Sequence, residues 1–100
     1  MKNMRDMLRQ AQKMQEEMQK KLEETVVEAS SGGGMVAVRM NGNKKLLSLE
    51  IDPEVAAGDD RDMLQDLIVA AVNEASRRVD EAMAGEIGNL ASGLKLPGLE

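Results

Sequence analysis

The chain has 100 residues, enough for one small domain, and contains no Phe, Tyr, Trp, Cys or His. Those absences remove disulfides, thiol and imidazole nucleophiles and the usual zinc sites; with no recognisable carboxylate site in their place, no enzyme, cofactor or metal is expected. The net charge of −5 is uneven, with residues 1–22 balancing at +3, 23–58 at −3 and 59–100 at −5, so a basic N-terminal arm precedes an acidic body.

The first predicted element is a helix from about Lys2 to Glu24. Met4, Met7, Leu8, Ala11, Met14, Met18 and Leu22 recur at spacings of three and four with no Gly or Pro between them. At about 3.6 residues per turn they form one narrow stripe, nearer a coiled-coil seam than the broad face of a globular helix. Lys2, Arg5, Arg9, Lys13 and Lys20 fall on the opposite side, within roughly a quarter-turn of one another. The stripe reads as core or dimer seam, with an adaptable Met-rich groove as the alternative. The basic face reads either as an ordinary solvated surface or as a grip on a polyanion.

The period then changes to two over residues 25–52. "TVVEAS" opens β-branched; Val36, Val38 and Met40 alternate with Met35, Ala37 and Arg39; Leu47, Leu49 and Ile51 alternate with Leu46, Ser48 and Glu50. These are three short strands, each with one apolar face. "SSGGG" and "NGN" separate them, and Asn41-Gly42 signals a tight hairpin. Asp52-Pro53 ends the third strand, because Pro cannot donate to a ladder.

A second helix is expected over about 59–89, capped by Asp59 or Asp60. Its apolar face is Leu64, Leu67, Ile68, Ala71, Val72, Ala75, Val79 and Met83, its end is softened by Gly85 and Gly88, and residues 91–100 read as a flexible tail. The fold class is therefore α+β: helix, three-stranded antiparallel meander, helix, in a single domain over 1–90. Strands of about six residues span roughly 20 Å, whereas a helix of some 22 residues spans about 33 Å. The sheet cannot cover the whole stripe of the first helix. Together with a core that lacks aromatics, this predicts a homodimer with projecting helices.

Two motifs invite other chemistry and fail on context. Gly32-Gly33-Gly34 are followed by a strand pattern and not by Lys and a helix, unlike a phosphate-binding loop. Asp59, Asp60 and Asp62 lack the spacing of a calcium loop, since counting from Asp60 places Gln65 and Ala71 where Gly and Glu are needed. No apolar run approaches the roughly 18 residues of a membrane span, and the N-terminus lacks the apolar centre of a signal peptide, so a cytoplasmic protein without a small-molecule substrate is expected.

The Met/Gln/Lys-rich first helix, "VEASSGGGMVAVRMNGNKKLLSLEIDPEV", "DMLQDLIVAAVNEASRRVDEAM" and the "GLKLPGL" tail, in that order, resemble the YbaB/EbfC family of nucleoid-associated proteins over nearly the whole chain. The resemblance implies a small bacterial protein of the cytoplasm and nucleoid, a tweezer-shaped homodimer of α-β-β-β-α protomers that binds double-stranded DNA through helical arms. It also implies roles in chromosome organisation and gene expression, and a functional link to recombination or replication proteins. No catalytic residue is carried over. On charge and position, DNA contact falls to Lys2, Arg5, Arg9, Lys13 and Lys20, with Arg77 and Arg78 as additions from the second helix. The competing reading is an interaction protein: a chaperone-like helical clamp, or a basic arm that docks on an acidic protein face.

Overall fold

The computed structural model describes residues 3–94. The order is α1 (Met4–Glu24), β1 (Val26–Ser31), β2 (Val36–Asn41), β3 (Leu46–Ile51), α2 (Pro53–Ala57) and α3 (Arg61–Leu94). The three strands form one antiparallel sheet in the order β1-β2-β3. The helix-meander-helix arrangement holds, with the five-residue α2 as an addition. That turn of helix arises because Asp52 accepts from the Glu54 N–H at 2.8 Å while Pro53, which needs no partner for its nitrogen, occupies the first helical position.

One face of the sheet makes the core. Ala29, Val36, Val38 and Met40 from the strands are buried against Ala71, Ala75 and Val79 of α3. The two alanines sit four residues apart at the closest approach, where a larger side chain would hold the helix off the sheet. α3 lies over β1 and β2, and Val27, Ile51, Leu64, Leu67, Ile68, Val72 and Met83 pack round the margin. Asp60 caps α3 by accepting from the Met63 N–H at 2.9 Å. The helix runs on through Gly85 and Gly88 to Leu94, past the expected end at 89, so residues 91–94 of the expected tail are helical; 95–100 lie outside the described residues.

Two details of the meander differ from the pattern in the sequence. The register shifts between Arg39 and Met40, so that Met40 lies opposite Leu46 and not Leu47. Leu46 thus joins Leu49 and Ile51 on the inner face, and Leu47 falls in the bulge. The second difference is the hairpin after β2, which is wider than a two-residue turn. The Lys44 N–H donates to the Asn41 carbonyl at 2.9 Å, and the left-handed residue is Lys44, at φ 63°, with no positive φ at Gly42. The side chain of Asn41, buried, accepts from the N–H groups of Asn43 and Lys45 at 2.9 and 3.1 Å and holds the turn. After β1 the chain reverses through a 3₁₀ turn at Gly32–Gly34, where all three glycines have positive φ. Those glycines are used for backbone conformation, as a turn requires.

The first helix stands apart from this core. None of its residues is buried, and only Leu22 reaches half-burial, so its apolar stripe is not part of the protomer's core. α1 is fastened at its C-terminal end. The Gly42 N–H donates to the Leu22 carbonyl at 2.8 Å, the Thr25 side chain donates to the Lys21 carbonyl at 2.7 Å, and Lys21 lies 3.6 Å from Glu86 of α3. The result is a molecule measuring 70 × 31 × 16 Å.

Candidate nucleic-acid interface

The outer half of α1 starts at Asn3, whose side chain accepts from the Asp6 N–H at 3.0 Å and so fixes the first turn. From there Arg5, Arg9 and Lys13 follow at four-residue steps, about 6 Å apart along one ridge. All three are exposed, and among the described residues no carboxylate lies within ion-pairing distance of them. Over residues 3–13 three cations meet one acid, Asp6; over 14–24 two cations, Lys20 and Lys21, meet Glu16, Glu17, Glu23 and Glu24. Lys20 belongs to this second, acid-rich half and lies 3.9 Å from Glu24. The positive field therefore concentrates on the far end of the arm. Lys2 lies outside the described residues.

Arg77 and Arg78 sit in a different environment. Arg77 donates through Nε to Glu74 at 3.1 Å and is paired with Glu81 as well. Arg78 bonds Glu74 at 3.2 Å, and its Nη1 donates to the backbone carbonyl of Glu28 on β1. The Arg77 guanidinium, aided by Arg78, holds the Glu74 carboxyl down at about 2 against its ordinary 4.5, and Glu74 in turn pushes Arg77 up. This cluster balances its own charge. Its geometry is that of a brace: β1 is an edge strand, and Arg78 satisfies one of its outward carbonyls from the helix above. No hydrogen bond or ion pair among the described residues joins the brace to the α1 ridge.

Cations that show no helical spacing come to the base of the arm by tertiary contact. Lys44 and Lys45 belong to the hairpin whose Gly42 touches α1. Lys44 pairs with Asp80 at 2.9 Å, while Lys45 is exposed with no such partner among the described residues. Their only trace in the sequence is the N-G-N-K-K turn, which says nothing of the helix beside it.

On the outer face of the sheet a shallow hollow of about 380 Å³ lies over Ser30, Ala37 and Ser48, flanked by Glu28, Arg39, Glu50 and Arg78. Arg39 and Glu28 pair across it at 3.5 Å. No cluster among the described residues has the ligands for a metal ion, and no helix among them is long and apolar enough to cross a membrane.

Residues 1–94 match the model of the YbaB/EbfC DNA-binding family. The chain is similar to a nucleoid-associated protein of Koribacter versatilis, 53% identical over 96 residues that cover 96% of this chain and 95% of that one. It is similar to another of Alkaliphilus metalliredigens, 50% identical over 100 residues that cover 97% and 88%. Among solved structures, an uncharacterized protein of Helicobacter pylori superposes with a TM-score of 0.65 at 28% identity, covering 84% of this chain and 98% of that one. The chain is a member of the YbaB/EbfC DNA-binding family, a bacterial family of nucleoid-associated proteins and not of enzymes.

Proposed function

We propose that two copies of this chain pair and grip duplex DNA by its phosphates, through the outer half of each α1, as a nucleoid-associated protein of the bacterial cytoplasm. The contacts are Arg5, Arg9 and Lys13, joined by Lys2, which precedes them in the sequence, and by Lys20 and Lys45 nearer the body. The observation that carries this reading is the row Arg5, Arg9 and Lys13, without ion-pair partners among the described residues, on a helix that stands clear of the fold in a member of a DNA-binding family. An acidic body with basic arms repels DNA except at the arms, which orients the encounter. Lacking every aromatic residue, the chain has no platform on which to stack single-stranded bases. Phosphate contacts position a protein without reading sequence, a role that suits chromosome organisation and broad effects on gene expression. Arg77 and Arg78 are left out of the contact set because Glu74, Glu81 and the Glu28 carbonyl already occupy them.

Pairing is supported by the apolar surface left open. α1 presents Met4, Met7, Leu8, Met14 and Met18 to solvent; beside α3 the inner face of β3 exposes Leu46 and Leu49, with Val69 on the helix. Three strands make a face roughly 14 Å wide, and one helix about 10 Å across leaves the third strand uncovered. A second copy brings the same surfaces and closes both.

A titration of labelled duplex at several salt concentrations tests the proposal. Binding should weaken steeply with salt, by about 0.9 ions per phosphate contacted, and Arg5→Glu with Arg9→Glu should abolish most of it while the fold is kept. Absence of binding at low salt, or binding indifferent to the double reversal, overturns it. The open Met stripe also favours a second reading, an arm that clamps another protein, including one of recombination or replication. Proteins retained on the immobilised chain from nuclease-treated lysate favour that reading, and retention lost with the nucleic acid favours the first.

A further inference from the structure

Without Cys, His or any aromatic residue, methionine is the side chain of this protein most open to mild oxidation, and the chain carries nine. The fold sorts them. Met40 is 3% exposed within the core, whereas Met4, Met7, Met14 and Met18 are 76, 63, 60 and 39% exposed along a single face of α1. Met35 and Met63, each 40% exposed, are not on that helix. Four thioethers are thus gathered on the surface that the pairing reading assigns to a second copy.

We propose that Met4, Met7, Met14 and Met18 form a reversible oxidation site for peroxides, and that their conversion to sulfoxides separates the paired copies and so weakens the grip on DNA. The inference rests on the pairing reading above. In the reaction a sulfur lone pair attacks one peroxide oxygen, the O–O bond breaks and an S–O bond forms. The departing hydroxide takes up a proton as water, so the sulfur loses two electrons and the peroxide gains them. A sulfoxide is polar where the thioether was apolar and pliant, and four of them in a dry seam must be stripped of water for the copies to meet. The Arg5–Lys13 ridge, on the opposite face, is chemically untouched; its loss of grip comes from halving the number of arms on one DNA.

Pairing and oxidation also oppose each other by mass action. In the pair the sulfurs are covered, so peroxide acts on the free protomer. At a concentration 100-fold above the dissociation constant the free fraction, and with it the oxidation rate of the four, falls roughly tenfold. Met35 and Met63 supply an internal reference. Thiol-dependent sulfoxide reductases, which return sulfoxide to thioether, complete the cycle.

The test treats the full chain with hydrogen peroxide at two protein concentrations, follows each methionine by peptide mass spectrometry and measures pairing by sedimentation. Expected are one added oxygen on Met4, Met7, Met14 and Met18 well before Met40, slower uptake by those four at the higher concentration, and pairing weakened at least about tenfold, restored by the reductase. A variant with all four replaced by Leu keeps an apolar stripe without the thioethers, so whatever its own pairing constant, peroxide should leave that constant and its DNA binding unaltered, although Met35 and Met63 still take up oxygen. If oxidised protein pairs as tightly as untreated, or the Leu variant loses pairing equally on treatment, the oxidation site is overturned. If the untreated chain is already monomeric at every concentration, the pairing reading falls, and this inference with it. Circular dichroism on each sample separates loss of pairing from unfolding.

Discussion

Gly42 has an ordinary backbone conformation, yet a Cβ built on it would stand 2.6 Å from the carbonyl oxygen of Leu22 and 3.0 Å from its Cα. A flexible side chain could move aside, but this obstacle is backbone, and the same amide donates to that carbonyl. Gly42→Ala should therefore push α1 off the hairpin and cost about 1–3 kcal/mol in urea denaturation, with faster exchange of the amide at position 42. An unchanged midpoint would mean that α1 is not anchored there. Glu74 shows a second effect of a single residue. Held at about 2 against 4.5 by Arg77 first and Arg78 next, it is charged more readily folded than unfolded. Its stabilising contribution is thus complete above pH 4.5 and disappears as pH falls through about 2. Over that window the urea midpoint of Glu74→Gln should fall less steeply than that of the parent; parallel curves would show that the Arg77 contact does not favour the folded state.

At the scale of elements, the two long helices are built for different tasks. α3 buries Ala71, Ala75 and Val79 against the sheet and is braced by Arg78 to β1 and by Asp80 to the hairpin. It then continues beyond the last of these anchors to Leu94, carrying Gly85 and Gly88, whose added Cβ atoms would meet nothing within 4 Å. Each glycine costs a helix interior about 1 kcal/mol relative to Ala. Gly85→Ala and Gly88→Ala should each slow amide exchange over the last turns of α3 by roughly fivefold, leaving global unfolding almost unchanged. No slowing would mean that those turns are already held by contacts. α1 has the opposite construction: good helix formers throughout, a cap at each end, and tertiary anchors confined to its final turn. A helix of that length without burial is marginal alone, so covering its stripe gains stability as well as association.

For the whole molecule, the radius of gyration of 19.6 Å is well above the roughly 13 Å of a compact 100-residue domain. The excess comes from the arms, and the body they leave behind has an inner sheet face that one helix does not fill. Leu49, opposite Val38 and 41% exposed, marks the gap. Leu49→Lys should change the stability of a lone protomer by no more than about 0.5–1 kcal/mol, because its head can reach water. In the proposed pair the same ammonium has to be desolvated, so sedimentation equilibrium should show association weakened at least about tenfold. An unaltered association constant would place the seam elsewhere. The basic ridge stands clear of this patch, so protomer-level DNA contacts should survive the substitution while the advantage of two linked arms is lost.

Most of the element order follows from periodicity alone. A spacing of three and four made α1 and α3 legible, alternation made Val36, Val38 and Met40 the core face of β2, and a cap at Asp59 or Asp60 was recognisable because capping is chemistry between near neighbours; the structure selects Asp60. The α1 ridge was legible for the same reason, since Arg5, Arg9 and Lys13 need only the helix itself to align. What local pattern does not contain is which surfaces meet. The sequence does not say that α3 rather than α1 covers the sheet, that a bulge exchanges Leu47 for Leu46, or that Gly42 is demanded by the backbone of Leu22. Nor does it distinguish Arg77 and Arg78, engaged with Glu74 and β1, from Arg5, Arg9 and Lys13, which have no ion-pair partner among the described residues. Periodicity fixes the direction of a side chain relative to its own element; whether water, a carboxylate or another backbone lies in that direction is decided only when elements far apart in the chain pack together.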